Sequence, residues 1–367
     1  MKRILFLVNH DVVIYNFRLE IVERFIADGH EVHISSPYGE RIDKLKEIGA
    51  IFHDINISRH GMNPLSEIKL LKDYKLLYKN VKPDIVFSFT IKPNVYGGII
   101  ARRLNVPFVA NITGLGMSIE NGGFKQKISL FLYRYGLLNA QKVFFQNQNN
   151  LEFFIRNKVV TSPYELLPGS GVNVYMFPYT DYPLEDKTVI FTTIGRIMKD
   201  KGTDELLEAA KILHDEGVNV QFQMIGFFDS DYKDKVMNAV ENKTITYIEQ
   251  QMDVRPFISR CHAIIQPSHH EGMSNVILEA SSMGRPVIAS DIPGCREAFD
   301  DGVSGLSFTV GDSLSLVKTI KRFLSLSIEE KAEMGKKARF KMEKEFNREF
   351  VVYKYVEEVN KLKECNT

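Results

Sequence analysis

The chain has 367 residues, 44% of them hydrophobic and 25% charged, which predicts about two ordinary globular domains and excludes disorder, collagen and a disulfide scaffold. Its 47 Lys and Arg against 46 Asp and Glu leave +1, which removes any whole-chain case for nucleic-acid binding through a basic surface. That total hides a split, because residues 1–150 carry +7 and residues 151–367 carry −6; the two halves are expected to meet different partners.

Cys261, Cys295 and Cys365 show no CxxC spacing, as expected of reduced thiols in a cytosolic protein, and imply no zinc site. The apolar run Ile4 to Val8 is too short for a signal-peptide core. Nothing approaches the ~18 apolar residues of a spanning helix, so a cytoplasmic protein whose membrane contact is peripheral is expected.

In chain order, Ile4–Val8, Glu31–Ser35, Ile85–Phe89, Phe108–Ile112 and Lys142–Gln146 read as strands, and Phe17 to Asp28 has a mostly helical apolar period closed by Gly29. Such strand and helix alternation predicts a parallel sheet covered by helices on both faces. After Leu167-Pro168-Gly169-Ser170-Gly171-Val172 the pattern restarts. Thr188–Ile194, Gln221–Ile225, Thr246–Ile248, Ala263–Gln266 and Pro286–Ala289 are predicted strands, and Asp204–His214, Val276–Met283 and Leu314–Leu324 predicted helices. Two doubly wound α/β domains follow, 1–168 and 169–345, with a hinge near 166–186. The amphipathic segment 346–367 either packs back on the amino-terminal domain or is a plain terminal helix. Open parallel sheets bind ligands beyond the carboxyl ends of their strands, so the cleft between two such domains is the expected site.

Two strand-to-helix turns carry the chemistry. In Pro267-Ser268-His269-His270-Glu271-Gly272-Met273-Ser274-Asn275, a polar turn enters a helix, so the N–H groups of Gly272 to Asn275 are expected to form an anion site. Glu279, eight residues past Glu271, could hold a ribose diol while Glu271 faces the sugar beyond the phosphates; taken singly, each also reads as an ordinary helix acid. In Thr193-Ile194-Gly195-Arg196-Ile197-Met198-Lys199-Asp200-Lys201-Gly202, Gly195 lets the backbone turn under a ligand, and Arg196 and Lys201 suit a diphosphate. The GK[ST] ending of a P-loop and the G-x-G-x-x-G of a dinucleotide fold are both missing there.

Gly195-Arg196 to Lys201-Gly202, followed by Pro267-Ser268, Glu271-Gly272, Glu279-Ala280, Gly284, Pro286-Val287-Ile288-Ala289, Gly294 and Glu297, resembles the family 4 retaining glycosyltransferases of the GT-B fold. Tyr15 to Leu19, Phe89 to Gly97 and Asn111 to Gly116 resemble a subset acting in bacterial surface-polysaccharide and N-glycan precursor assembly. The resemblance implies two Rossmann-like domains facing across a cleft, and transfer of a hexose or N-acetylhexosamine, with retention, from a UDP-sugar to a polyprenyl-diphosphate-linked saccharide. It assigns the diphosphate to Arg196 and Lys201, the ribose to Glu279 and the sugar hydroxyls to Glu271. Gly195, Gly272, Met273, Ser274, Asn275 and, from the amino-terminal half, Asn16 complete the donor set, with the base against Gln250 to Val254. Fixed cations beside a departing diphosphate stabilise the transition state directly, and a front-face mechanism needs no enzyme nucleophile.

The sequence departs from this family where Asn9 to Asn16 replaces a Gly-Gly loop, where Thr113-Gly114 takes the place of a histidine, and where Glu249 replaces a glycine. His10 and Asp11 read either as a base or as a loop pair. The triplet Asp229-Ser230-Asp231 reads as a solvated loop rather than a metal site, and no metal or cofactor is expected. Phe124 to Tyr135, with Lys125, Lys127 and Arg134 and no acid, reads either as a membrane-surface segment or as a core-facing helix with a basic edge. Lys92 and Arg102-Arg103 add to the same domain's charge. The rival functions are a nucleotide-sugar 2-epimerase of the same fold and a catalytically silent sugar- or nucleotide-binding subunit.

Overall fold

The apolar, β-branched runs pair as parallel strands in two separate sheets. The computed structural model describes residues 1–57, 64–114, 123–183, 188–229 and 231–364. Leu115, Gly116, residues 184–186 of the predicted hinge, Ser230 and Cys365 lie outside the described residues. The chain divides into two units, Met1–Ser170 with Glu349–Thr367, and Gly171–Arg348.

In the first unit the order is β1 (Arg3–Leu7), α1 (Asp11–Tyr15), α2 (Leu19–Ala27), β2 (Glu31–Ser36), α3 (Arg41–Glu47), β3 (Ile51–Asp54), α4 (Pro64–Val81) and β4 (Ile85–Phe89). There follow a π turn at Pro93–Gly97, α5 (Gly98–Leu104), β5 (Phe108–Ile112), α6 (Gly123–Leu137), β6 (Lys142–Phe145), α7 (Gln148–Arg156) and β7 (Tyr164–Leu166). The parallel sheet runs β3-β2-β1-β4-β5-β6-β7, a doubly wound order with its switch point between β1 and β4. Alternation along β1 sends Ile4 and Phe6 into a core with α2 and α3, and Leu5 and Leu7 into a core with α4, α5, α6 and α7.

The second unit holds β8 (Val189–Ile194), α8 (Thr203–Asp215), β9 (Val220–Gly226), α9 (Lys233–Glu241), β10 (Thr246–Glu249), α10 (Arg255–Ile258), β11 (Ala263–Gln266) and α11 (Asn275–Ser282). It ends with β12 (Val287–Ser290), β13 (Gly305–Phe308), α12 (Ser313–Leu324) and α13 (Ile328–Glu345). Its parallel order is β10-β9-β8-β11-β12-β13. Helix starts follow local chemistry: Asn147 caps α7, Asp312 caps α12, and Ser327 with Glu330 makes a reciprocal capping box for α13.

Three strands went unread in the sequence: β3, β7 and β13. All three are sheet edges; β3 and β7 are short and partly solvated, and β13, though mostly buried, is four residues interrupted by Ser307, so none carries the apolar run that marks a central strand.

The last helix, α14 (Arg348–Glu364), buries Val351, Tyr355 and Val359 in the first unit's core. The Tyr355 ring lies 5.1 Å from that of Phe87 and 5.2 Å from that of Phe144, and Asn111 Nδ2 donates to its hydroxyl. Beyond it, buried Glu358 accepts from Gln141 Nε2 at 2.7 Å. Tyr355→Ala is therefore expected to cost about 3–5 kcal/mol, and Tyr355→Phe, which strands the buried Asn111 amide, about 1–2 kcal/mol; denaturant unfolding of the two variants measures both.

Candidate active site

In the second unit, β8 and β11 are neighbours at the switch point, so the turns that leave them open side by side. Past the end of β8 the ladder to β9 continues: Gly195 N–H donates to Ile225 O at 2.9 Å and Ile197 N–H to Phe227 O at 2.8 Å. The crossing is so close that a Cβ on Gly226 would lie 1.7 Å from Gly195 O, which only glycine permits. This register sets Arg196 beside Asp229, with Nη1 2.6 Å from Oδ2 and both side chains well exposed. Asp229 is exposed in a loop, as expected of the triplet, and its carboxylate is in addition the counter-ion of Arg196.

The chain then makes a single 3₁₀ turn over Lys199–Lys201 and enters α8 through Gly202. Gly202 has φ +70°, and a Cβ there would lie 1.9 Å from Pro267 O. The glycine thereby lets the two turns touch. Across that contact Lys201 Nζ donates to Glu271 Oε1 at 2.5 Å. The same oxygen accepts from Ser268 Oγ at 2.8 Å and from Gln266 Nε2 at 2.9 Å. His269 N–H donates to Asp200 O, and its ring Nε2 lies 2.9 Å from Glu205 Oε1 on α8. A recess lined by Thr193, Gly195, Arg196, Lys201, Thr203 and Gln266 opens where β8 ends and α8 begins.

Helix α11 starts at Ser274, whose Oγ accepts from Ile277 N–H. The Ser274 N–H, expected to be available to an anion, instead donates to Gly294 O at 2.8 Å. Gly294 N–H in turn donates to Glu297 Oε2 at 2.6 Å, so these two residues buttress the turn. Gly272 and the half-buried Asn275 flank the capping serine, Met273 is buried, and the Asn275 Oδ1 is enclosed without a hydrogen-bond partner among the described residues. Glu279 sits in the second turn of α11, partly covered. Burial pushes its carboxyl up to about 7, with the Arg348 guanidinium pulling the other way.

The amino-terminal candidates are less concentrated. Asn16 is exposed at the end of α1. His10 caps that helix, and buried Asp11 accepts from Val12 N–H at 2.8 Å and Arg41 N–H at 3.1 Å, so both are engaged in backbone support. Lys92 is corrected as a surface charge, because its Nζ lies 2.6 Å from Glu67 Oε1 and both side chains are largely buried. Arg134 is exposed, yet it donates to the carbonyls of Asn157 and Lys158 and so closes the end of α7. Helix α6 faces the core through Tyr133 and Leu137, with Lys125 and Lys127 exposed on its edge as both readings expect, and Phe124 and Phe131 exposed beside them.

A family model described as "Glycosyl transferases group 1" matches residues 180–341, and one described as "Glycosyl transferase 4-like" matches residues 3–147. The chain belongs to this glycosyltransferase family. An N,N'-diacetylbacillosaminyl-diphospho-undecaprenol alpha-1,3-N-acetylgalactosaminyltransferase of Campylobacter jejuni is 27% identical, covering 83% of this chain and 84% of the relative. The capsular polysaccharide biosynthesis glycosyltransferase CapM of Staphylococcus aureus is 24% identical, covering 88% and 87%. Among solved structures, Anabaena Alr3699/HepE in complex with UDP and glucose superposes with a TM-score of 0.80 at 17% identity, over 98% of this chain and 100% of that one. The GT-B fold of this glycosyltransferase, with its two Rossmann-like sheets, agrees with that likeness. Among its described residues no helix is long and apolar enough to cross a membrane.

What sequence reasoning missed is the set of partners: Asp229 for Arg196, and Gln266 and Ser268 for Glu271. The triplet at 229 was visible, but nothing local signalled a contact made 33 residues away. Because the Glu279 carboxyl is raised, its ionised form is penalised in the folded state above about pH 7, and the penalty fades as pH falls to the ordinary carboxylate range, where folded and unfolded chains are both protonated. Glu279→Gln is therefore expected to stabilise the ligand-free protein by about 1–3 kcal/mol above neutrality and by nothing in acid, as thermal unfolding across pH would read.

Proposed function

We propose that this glycosyltransferase moves a hexose or N-acetylhexosamine from a UDP-sugar, with retention of the α configuration, to a saccharide carried on a polyprenyl diphosphate in bacterial surface-polysaccharide or glycan-precursor synthesis. The observation that carries the proposal is the Lys201–Glu271 contact beside Arg196 at the adjacent carboxyl ends of β8 and β11. A diphosphate in that recess would meet Lys201, the start of α8 and the Arg196 guanidinium, which exchanges Asp229 for phosphate oxygens. As the anomeric bond breaks, charge grows on the departing UDP next to those fixed cations.

Glu271 would hold the sugar hydroxyls. Its Oε1 already accepts three hydrogen bonds, which suits a fixed acceptor better than a nucleophile, and this favours a front-face displacement in which the leaving phosphate takes the acceptor's proton. Glu279 would bind the ribose, and the Gln250–Val254 turn the base. The names of the relatives support the substrate classes: the Campylobacter relative acts on a diphospho-undecaprenol saccharide, an Escherichia coli relative, 26% identical over 70% of this chain and 71% of its own length, is a UDP-Gal-dependent galactosyltransferase, and HepE was solved with UDP-glucose. Peripheral attachment to the inner face of the membrane through Lys125, Lys127 and their aromatic neighbours would bring such an acceptor to the site.

A UDP-sugar at 100 times its dissociation constant is expected to add about 2.7 kcal/mol to thermal stability. Arg196→Ala or Lys201→Ala removes most of that protection and lowers transfer about 10²- to 10³-fold, and NMR of the product gives the anomer. Unchanged protection in both variants overturns the diphosphate assignment, and an epimerised UDP-sugar formed without acceptor replaces transfer by epimerisation.

A further inference from the structure

Helix α4 carries no part of the candidate site, and one of its faces is exposed. Lys69, Lys72, Lys75 and Lys79 are all exposed on it and make no ion pair among the described residues. Between them stand Leu65, Ile68 and Leu76, which are 77%, 52% and 60% exposed. At 100° per residue these seven positions occupy about 120° of arc. The opposite arc, with Leu70, Tyr74, Leu77 and Tyr78, is buried in the core. The acids of α4 lie off this face, Glu67 being buried against Lys92 and Asp73 only half exposed.

Helix α5 packs against α4 on one side and α6 on the other. The outer surfaces of the three helices therefore form one layer. Arg103 is exposed on α5, and Arg102 stacks 4.1 Å over the Tyr135 ring of α6. Phe124 and Phe131 project from α6 at 78% and 67% exposure, beside Lys125 and Lys127. Neither α5 nor α6 contains an acid.

We infer that α4 is a second membrane-contacting element, which lies in the headgroup layer of an anionic bilayer together with α6. The inference rests on the peripheral attachment proposed above and extends it to residues outside α6. Charge and apolarity decide the occupant. Lysines spaced among exposed leucine and isoleucine side chains match an interface that is anionic above and hydrocarbon below. A second copy of this chain apposed face to face would set lysines against lysines, and a nucleic acid would leave the apolar side chains without contact.

The test is flotation of the full-length protein with vesicles of phosphatidylcholine containing phosphatidylglycerol, and with phosphatidylcholine alone. The wild type is expected to float with the anionic vesicles only. Neutralising Lys69, Lys72, Lys75 and Lys79 to Gln is expected to weaken that partitioning at least about tenfold. Leu65→Ser, Ile68→Ser and Leu76→Ser together are expected to do the same by a different route, with UDP protection against unfolding unchanged in both sets as the control for folding. Lys125→Gln with Lys127→Gln is the reference, and Arg134 is left in place because it closes α7. If the α4 sets float like the wild type while the α6 pair does not, the assignment to α4 is overturned and peripheral attachment stands. If the wild type ignores anionic vesicles, both fall. Equal flotation with phosphatidylcholine alone, or a concentration-dependent oligomer dissolved by the apolar set, also overturns it.

Discussion

Parallel pairing of β8 with β11 is the constraint on which the candidate site depends. Parallel strands release their chains at the same edge, so the turn after β8 and the turn after β11 share one surface. Gly202 lets those turns meet at the carbonyl of Pro267, and the Lys201–Glu271 contact then joins a cation and a carboxylate 70 residues apart. A side chain at Gly202 would force the turns apart and separate that pair.

The cations that serve the diphosphate in the proposed reaction act in a unit of net negative charge. Their effect is accordingly local. Each is paired with a named carboxylate, Arg196 with Asp229 and Lys201 with Glu271. The exposed Arg196 pair contributes little to stability, as exposed pairs do. Its consequence is positional, keeping the guanidinium at the rim of the recess. The first unit shows the complementary arrangement, with positive charge spread over the outer faces of α4, α5 and α6 and not gathered at one point.

Several assignments made from residue type changed once partners were visible. Lys92 looks like a surface charge in Ile91-Lys92-Pro93, yet it is spent on Glu67, a residue that helix periodicity places on the buried arc of α4. Arg134 has the exposure of a surface cation and the hydrogen bonds of a helix cap. Ser274 opens a helix as expected, but its N–H is already used by Gly294. In each case the correction comes from a contact distant in sequence.

The sequence alone determined the two doubly wound halves, the central strands, the two βα turns and the residue types within them. It could do so because buried parallel strands need continuous apolar runs, and the two turns are marked by glycine and cations at short spacing, both of which are local properties. The strands β3, β7 and β13 escaped it, since each is very short and its apolar residues are interrupted by polar ones or end in them. Only the tertiary structure decided which charges are paired, that the carboxyl-terminal helix completes the core of the first unit through Tyr355, and that α5 packs between α4 and α6. Those outcomes depend on which elements the chain brings side by side, and spacing within any one element does not encode that.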